Sequence, residues 1–385
     1  MSVVAEDLVQ RAIAVAQSYP ELLAAAVVSL VVLLGGGYLL HQFTRPAGVR
    51  FVSLLAEYDD VAVLTHPNPD PDAMAAAMGV ASLAEQVGTE STINFSGQIR
   101  HQENRVFRNV LNPELTAIER SDDIGSEAIV LVDHNLARGF SGSEDIDPVA
   151  VIDHHPGDGS GEAFTDVRTE YGACSSVIGE YFRDVDATPV PPDSHESEVD
   201  TNYTIPSTLS TGLFYGILTD TDRLTAGTDT ADFETSGYLS DGVDESLLDR
   251  IANPQVSAEV LEIKARAIRE RDIQGPFAIS DVGEVSNVDA IPQAADELML
   301  LEGVTAAVVW GVRDGVLHLS GRSRDDRVHM GRAIEAALDG IPEANGGGHS
   351  RMGGGQIPLD ADEFVWPARR KTLTDRLRRA LEGDV

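Results

Sequence analysis

With 385 residues the chain has room for two domains and an appendage, and 42% hydrophobic content supports ordinary globular cores. Its 63 Asp and Glu against 28 Lys and Arg leave a formal charge of −35, spread along the chain rather than gathered in a tail. A field of that sign disfavours long nucleic acid as a partner and suits solvation at high salt. The single Cys174 excludes an intramolecular disulfide and a multi-cysteine zinc site, and reads as a small packed residue.

Residues 22–40, LLAAAVVSLVVLLGGGYLL, carry no charge. As a helix at about 1.5 Å per residue they match the roughly 30 Å hydrocarbon core of a bilayer, so the sequence predicts a single-pass membrane anchor within residues 1–46. Arg45 and Arg50 follow it and place the next domain on the cytoplasmic side. From residue 51 strands and helices alternate. Val61–Thr65 is a strand that ends in His66-Pro67-Asn68-Pro69-Asp70-Pro71-Asp72. Ala73–Val87 follows as a helix, with Pro71 in its first turn. Ser91–Phe95 and Ala128–Val132 are further strands, the second ending at Asp133, and Ala150–Ile152 runs into Asp153-His154-His155. Pro206–Leu218 is helical and delivers Asp220. The alternation predicts a doubly wound parallel sheet in an α/β domain over 47–255, with the acidic stretch 184–204 as a solvated loop insertion.

A linker helix is expected over 256–274, and a smaller α/β domain over 275–385. In that second domain Asp314-Gly315 marks a hairpin between Val304–Val312 and Val316–Arg322. Met330–Leu338 is helical, Asn345–His349 is a glycine-rich loop, and a last helix covers roughly 361–382.

Ligands of a parallel sheet gather at the carboxyl ends of its strands. Those ends here carry His66, Asp70 and Asp72, then Asp133, then Asp153, His154 and His155, with Asp220 after a helix. Singly, an Asp in such a place is also the usual N-cap of the next helix, and that reading stands beside the functional one for Asp133 and Asp220. Together the clusters point to a metal site. Carboxylates with imidazole and no thiolate suit Mn²⁺ or Mg²⁺, with Zn²⁺ or Co²⁺ as alternatives. The number of candidate ligands argues for two ions, an arrangement suited to phosphoryl chemistry.

The segments His66-x-x-x-Asp70-x-Asp72, Asp133, Asp153-His154-His155-Pro156 and Thr219-Asp220-Thr221 resemble, in order, the four motifs of the DHH phosphoesterase superfamily. Gly346-Gly347-Gly348-His349 and Gly321-Arg322-Ser323 resemble the signatures of its associated C-terminal domain. The resemblance covers about residues 51–382 and is nearest to the nanoRNase and pAp-phosphatase type, which also resembles cyclic-di-AMP phosphodiesterases. It implies two divalent cations, most often Mn²⁺. His66, Asp70 and Asp133 would hold one, and Asp72, Asp133, His154 and Asp220 the other, with Asp133 bridging. It places His155 beside the scissile phosphate, Asp153 behind the histidines, Arg138 near the substrate, and Arg322, Gly346, Gly347, Gly348 and His349 on the nucleotide. The chain departs from the family at Ala73-Met74, where a Gly-Ser or similar small pair is common, and at Asp222, where Gly is common. The roles of His134 and Asp222 are left open. The expected function is hydrolysis of short nucleotides at the membrane. A RecJ-like exonuclease and a non-catalytic nucleotide sensor are the competing readings, and a homodimer is compatible with all of them.

Overall fold

The computed structural model describes residues 45–99, 101–325, 327–359 and 366–383. The predicted anchor, residues 22–40, lies outside them; among the described residues no helix is long and apolar enough to cross a membrane. The chain divides into two compact units, before and after the Asn253–Pro254 bond.

In the first unit, helix α1 (Ala47–Leu55) leads into strand β1 (Asp60–Thr65), helix α2 (Pro71–Gln86), β2 (Glu90–Ser96), α3 (Gln102–Leu111), β3 (Leu115–Ile118), β4 (Ile129–Val132), β5 (Ala150–Asp153) and β6 (Phe164–Val167). After these come α4 (Cys174–Asp184), the short strands β7 (Thr188–Pro189) and β8 (Thr204–Ile205), α5 (Ser207–Asp220), α6 (Thr230–Leu239) and α7 (Glu245–Ala252). β1 to β6 form one parallel sheet in the order β3-β2-β1-β4-β5-β6. The chain winds outward from β1, then returns to β4 and winds the other way, so the crevice between the ends of β1 and β4 is the switch point where such sheets take ligands.

The strands bury both faces, and the period of two is visible in what each face touches. Val61, Val63, Val130, Val132 and Ile152 point into a core shared with α1, α2, α4 and α5. Ala62, Leu64, Ile129, Leu131 and Val151 point into a smaller core on the other face. A doubly wound sheet was expected to carry helices on both faces. The second face is instead covered by Phe140 and by the loops around the short 3₁₀ turns 121–123 and 143–145.

The stretch 184–204 is more ordered than a solvated insertion. β7 pairs with β8, Val190 and Ile205 are buried, and the Gln86 side chain both donates to the Thr204 carbonyl and accepts from its N–H. The middle of the stretch, from Pro191 to Ser197, is largely exposed.

The second unit contains α8 (Ala258–Arg269), β9 (Asp272–Gln274), β10 (Phe277–Glu284), α9 (Ala290–Leu298), β11 (Ala306–Arg313), β12 (Val316–Ser323), α10 (Met330–Leu338), β13 (Asn345–Gly348), β14 (Met352–Pro358) and α11 (Trp366–Glu382). Its mixed sheet runs β13-β14-β12-β11-β10-β9. The helix expected as a linker, α8, sends Val260, Ile263 and Ala267 into this unit's core, beside α9. α10 and α11 cover the opposite face. The β11–β12 hairpin turns at Asp314 and Gly315, both at positive φ (50° and 75°), as the Asp-Gly pair predicts.

The glycine-rich run is not a loop. Gly346, Gly347 and Gly348 pair in register with Gly355, Gly354 and Gly353 of β14. A side chain at Gly346 would strike Ile334 and Leu338, and one on the helical residue Gly331 would lie 2.2 Å from the Gly348 carbonyl oxygen. The two glycine strands therefore let α10 pack directly on backbone. The exposed tip at His349 and Ser350 supplies carbonyls that accept from Gly331 and Met330 N–H, capping α10. Arg322 on β12 is tied by its Nε to Asp296 Oδ1 at 2.6 Å.

Candidate metal centre

Each strand end of the first unit contributes to one cluster. Past β1 the chain turns through Asn68, at φ 57°, and Asp70 then caps α2 by accepting from Ala73 N–H at 3.0 Å. His66 is held by its Nδ1 on the Pro67 carbonyl (3.0 Å), which leaves Nε2 facing Asp70 (3.6 Å) and Asp133 (3.3 Å). Asp133 itself sits at φ 60°, a left-handed conformation that costs on the order of 1–3 kcal/mol and that Asp tolerates better than most residues. Its N–H donates to the Ile152 carbonyl, so β5 fixes the strained residue in place.

From β5, His154 is held by its Nδ1 on the Tyr171 carbonyl (3.1 Å), and its Nε2 faces Asp133 (3.3 Å), Asp220 (3.5 Å) and Asp72 (3.9 Å). Asp220 is the last residue of α5, not a residue beyond it. Asp72 is completely buried, and its two oxygens accept from Cys174 N–H (2.7 Å) and Ser175 N–H (2.8 Å) at the start of α4. His155 stands half-exposed, with Nδ1 3.0 Å from Asp153 Oδ1 and 3.6 Å from Asp133 Oδ1.

Three overlapping triads result: His66/Asp70/Asp133, Asp72/His154/Asp220 and Asp133/His154/His155. Atoms bound to one cation at about 2.1 Å lie roughly 3 Å apart, so separations of this size need little adjustment to close on an ion. The donors that a metal would use have no other occupation: both Asp133 oxygens and His154 Nε2 are buried without a hydrogen-bond partner. Both metal-facing histidines are anchored through Nδ1, which fixes the ring and presents Nε2. The residues present thus fit divalent cations, with Asp133 shared.

The protonation states carry the same message. Burial alone would lower the pKa of His66 and His154, but the Asp133 carboxylate 3.3 Å from each Nε2, joined by Asp70 and Asp220 respectively, lifts them to about 11 and about 12. Burial and the neighbouring carboxylates Asp133 and Asp220 push Asp72 well above the usual carboxylate range, and burial pushes Asp220 up to about 6. Asp133, though buried, is held well below that range by the two imidazoles. Without a cation, the site neutralises its carboxylates with protons.

His134 is not part of the triads. Its Nδ1 lies 2.9 Å from the Val132 carbonyl, and burial brings its pKa down to about 4, which leaves a neutral ring beside the centre. Asp222 is exposed in the turn after α5. Arg138 stands exposed on the loop after β4, near enough to His134 to act on its charge.

Several site-building groups carried no signal in the sequence. They are the Tyr171 carbonyl, the Cys174 and Ser175 N–H groups, and the buried side chains of Asn135 and Asp232. Asp232 accepts from Gly172 N–H (3.0 Å), Ser176 Oγ (2.5 Å) and Asp229 N–H (2.7 Å), and so fixes the segment whose Tyr171 carbonyl orients His154.

Gly216 of α5 completes the floor of the site. A Cβ there would lie 2.4 Å from Ser175 Oγ and 3.0 Å from Asp72 Oδ1. Gly216→Ala is expected to destabilise the protein by about 1–3 kcal/mol through overpacking and to weaken metal binding by displacing Asp72. Thermal unfolding and a metal titration of the variant check both effects.

The first unit is thus a parallel α/β sheet with a carboxylate–imidazole cluster, fit for divalent cations, at its switch point, and the second is a mixed-sheet unit. Residues 60–217 match the DHH family N-terminal domain, and residues 274–382 match the DHHA1 domain. The chain belongs to the DHH family.

An uncharacterised protein of Methanocaldococcus jannaschii is 36% identical over 320 residues, covering 82% of this chain and 62% of that protein. The cyclic-di-AMP phosphodiesterase GdpP of Geobacillus thermodenitrificans is 26% identical over 351 residues, covering 86% of this chain and 49% of that protein. The chain thus spans about half of one of these curated relatives and less than two thirds of the other. The crystal structure of an exopolyphosphatase-related protein from Bacteroides fragilis shares the fold, with a TM-score of 0.63 at 15% identity, covering 88% of this chain and 96% of the other.

Proposed function

We propose that this protein hydrolyses phosphoester bonds in short nucleotides — a dinucleotide, a cyclic dinucleotide or pAp — with two divalent cations, Mn²⁺ foremost. The observation that carries the reading is the pair of triads that share Asp133, whose two buried oxygens have no other partner. His66, Asp70 and Asp133 would hold one ion, and Asp72, Asp133, His154 and Asp220 the other. Bound there, the ions would make water nucleophilic at neutral pH and neutralise charge on the phosphate. An all-oxygen-and-imidazole donor set favours Mn²⁺ over metals that seek thiolate.

The chain's own groups have distinct tasks in this scheme. Asp153 orients the histidine pair from behind. His155, the half-exposed member of the Asp133/His154/His155 triad, is left out of both ion sites and donates the proton that the leaving oxygen takes as the P–O bond breaks. In the second unit, Arg322 and the Gly346–His349 segment are the groups assigned to the nucleotide, with open space over the Gly347 backbone for close approach. A short substrate is supported by the match to GdpP, whose name gives cyclic-di-AMP as its substrate, and by the net charge of −35, which disfavours a long polyanion.

The test is Mn²⁺-dependent turnover of pApA, cyclic-di-AMP, pAp and a long single strand by the full chain. Cleavage of one short substrate, with the long strand left intact, is the expected result. Preferred cleavage of the long strand would make the protein an exonuclease. Binding of the short nucleotides with no turnover of any substrate would make it a sensor.

A further inference from the structure

Asp153 belongs to none of the three triads, yet its buried carboxylate collects donors on both oxygens. Oδ1 accepts from His154 N–H (2.8 Å) and His155 N–H (3.1 Å) and lies 3.0 Å from His155 Nδ1. Oδ2 takes a single side-chain donor, Asn135 Nδ2 at 2.7 Å. The same amide nitrogen reaches the His155 carbonyl at 3.3 Å. Asn135 is itself buried, and the turn that follows His155 is moulded around it. A Cβ on Gly157 would lie 2.2 Å from Asn135 Oδ1, and one on Gly159 would lie 1.6 Å from the Asn135 carbonyl oxygen.

We propose that Asn135 is a positioning residue for the proton-donating histidine. By holding Asp153 Oδ2 it sets the carboxylate plane so that Oδ1 meets His155 Nδ1. That contact keeps a proton on Nδ1, turns the ring, and leaves Nε2 as the nitrogen that serves the leaving oxygen. A carboxylate has two oxygens and could rotate either of them toward the histidines. The donor on Oδ2 removes that freedom. An apolar residue at 135 would leave Oδ2 buried without a donor, and an Asp would set a second negative group against the first. The proposal rests on His155 having the role given under Proposed function, and its test separates the two.

The full chain is compared with N135D, the milder N135S, and H155A. In metal-free, ¹⁵N-labelled protein in mildly alkaline buffer, imidazole NMR reads which His155 nitrogen carries the proton. The parent is expected to show the Nδ1–H form, and N135D and N135S a shift toward Nε2–H. With Mn²⁺, turnover is measured on pApA and on bis(4-nitrophenyl) phosphate, whose leaving group departs without a proton. All three variants should lose roughly 100-fold in kcat on pApA and no more than about threefold on the nitrophenyl ester, since proton donation matters only for the poor leaving group. KM and Mn²⁺ content should stay close to those of the parent. An unchanged His155 tautomer in N135D and N135S, or equal losses on both substrates, would overturn the assignment. If the parent cleaves neither substrate, it is the phosphoesterase reading that falls, and the tautomer measurement alone decides the role of Asn135.

Discussion

Asp133→Asn should lower turnover by about a thousandfold or more, the size of loss expected when an electrostatic centre of catalysis is removed as a unit. The carboxylate is almost completely buried, its two oxygens lie 3.3 Å from the Nε2 atoms of His66 and His154, and neither oxygen has a hydrogen-bond donor to satisfy it. It is the member common to the His66/Asp70 triad and the His154/His155 triad. An amide in its place keeps the shape but loses the negative charge, and one of its two ends becomes a donor pointed at imidazole nitrogens meant for a cation. The backbone should survive the change, because Asn is the residue that best replaces Asp at a positive φ of 60° and the N–H bond to the Ile152 carbonyl is untouched. Alanine at the same position would add the cost of a left-handed backbone to the loss of charge, so Asn is the cleaner probe. The measurement is kcat alongside bound Mn²⁺ per chain. Loss of metal together with activity, in a protein that still unfolds cooperatively, is the expected result. Retention of a tenth of the activity would remove Asp133 from the centre of the mechanism.

The strand ends were legible because both sheet faces are buried. Apolar runs such as Val61–Thr65 and Ala150–Ile152 stop where the sheet stops, and the first polar residues past them must lie on its carboxyl edge. Pro71 similarly marked the start of α2. Helix content on the second face was not legible: the segments between β3, β4 and β5 carry short apolar signals, Ile124, Phe140 and Ile146, that read the same whether they cap a sheet from a 3₁₀ turn or from a helix. The glycine run misled for a related reason. Gly346–Gly348 has no side-chain pattern from which to infer a strand, and its partner Gly353–Gly355 lies only a tight turn away, so the structure rests on the apolar face of α10 filling the space that side chains would occupy.

At the site, the groups with titratable side chains next to strand ends could be read, and those that orient them could not. Tyr171 acts through its carbonyl, Cys174 and Ser175 through their N–H groups, and a backbone atom has no sequence signature. Asn135 stands two residues after Asp133 and looks like an ordinary loop residue until Asp153, eighteen positions later, is placed against it. Asp232 reads as part of a capping box at the start of α6, which it is, and its second task of holding Gly172 follows only from the tertiary contact.

Metal binding to the metal-free protein should release about two protons per filled centre near neutral pH, and the apparent affinity should rise steeply with pH, by up to two orders of magnitude per unit. His66, at about 11, and His154, at about 12, are both imidazolium in the metal-free protein at neutrality, paired with Asp133, Asp70 and Asp220. A divalent cation needs the neutral ring, so each histidine must give up its proton. Below pH 6 the demand grows, because Asp220, at about 6, then also carries a proton that the metal must displace. The same shifts set the stability of the metal-free form. The two histidine pKa values lie above the unfolded value of about 6.5, so their stabilisation is complete below that pH and is lost progressively as the pH rises toward 11 and 12. Asp133, held low by the same imidazoles, contributes in the opposite sense, with stabilisation present above the ordinary carboxylate range and lost on acidification. The metal-free protein should therefore lose thermal stability as the pH is raised from neutrality, while the Mn²⁺-loaded protein, whose cations replace those protons, should not. Calorimetric titration in buffers of different ionisation enthalpy gives the proton count directly, and unfolding temperatures across the same pH range test the divergence. Binding that releases no protons at neutral pH would mean that the ion is not held by His66 and His154, and the two-metal assignment would have to be abandoned.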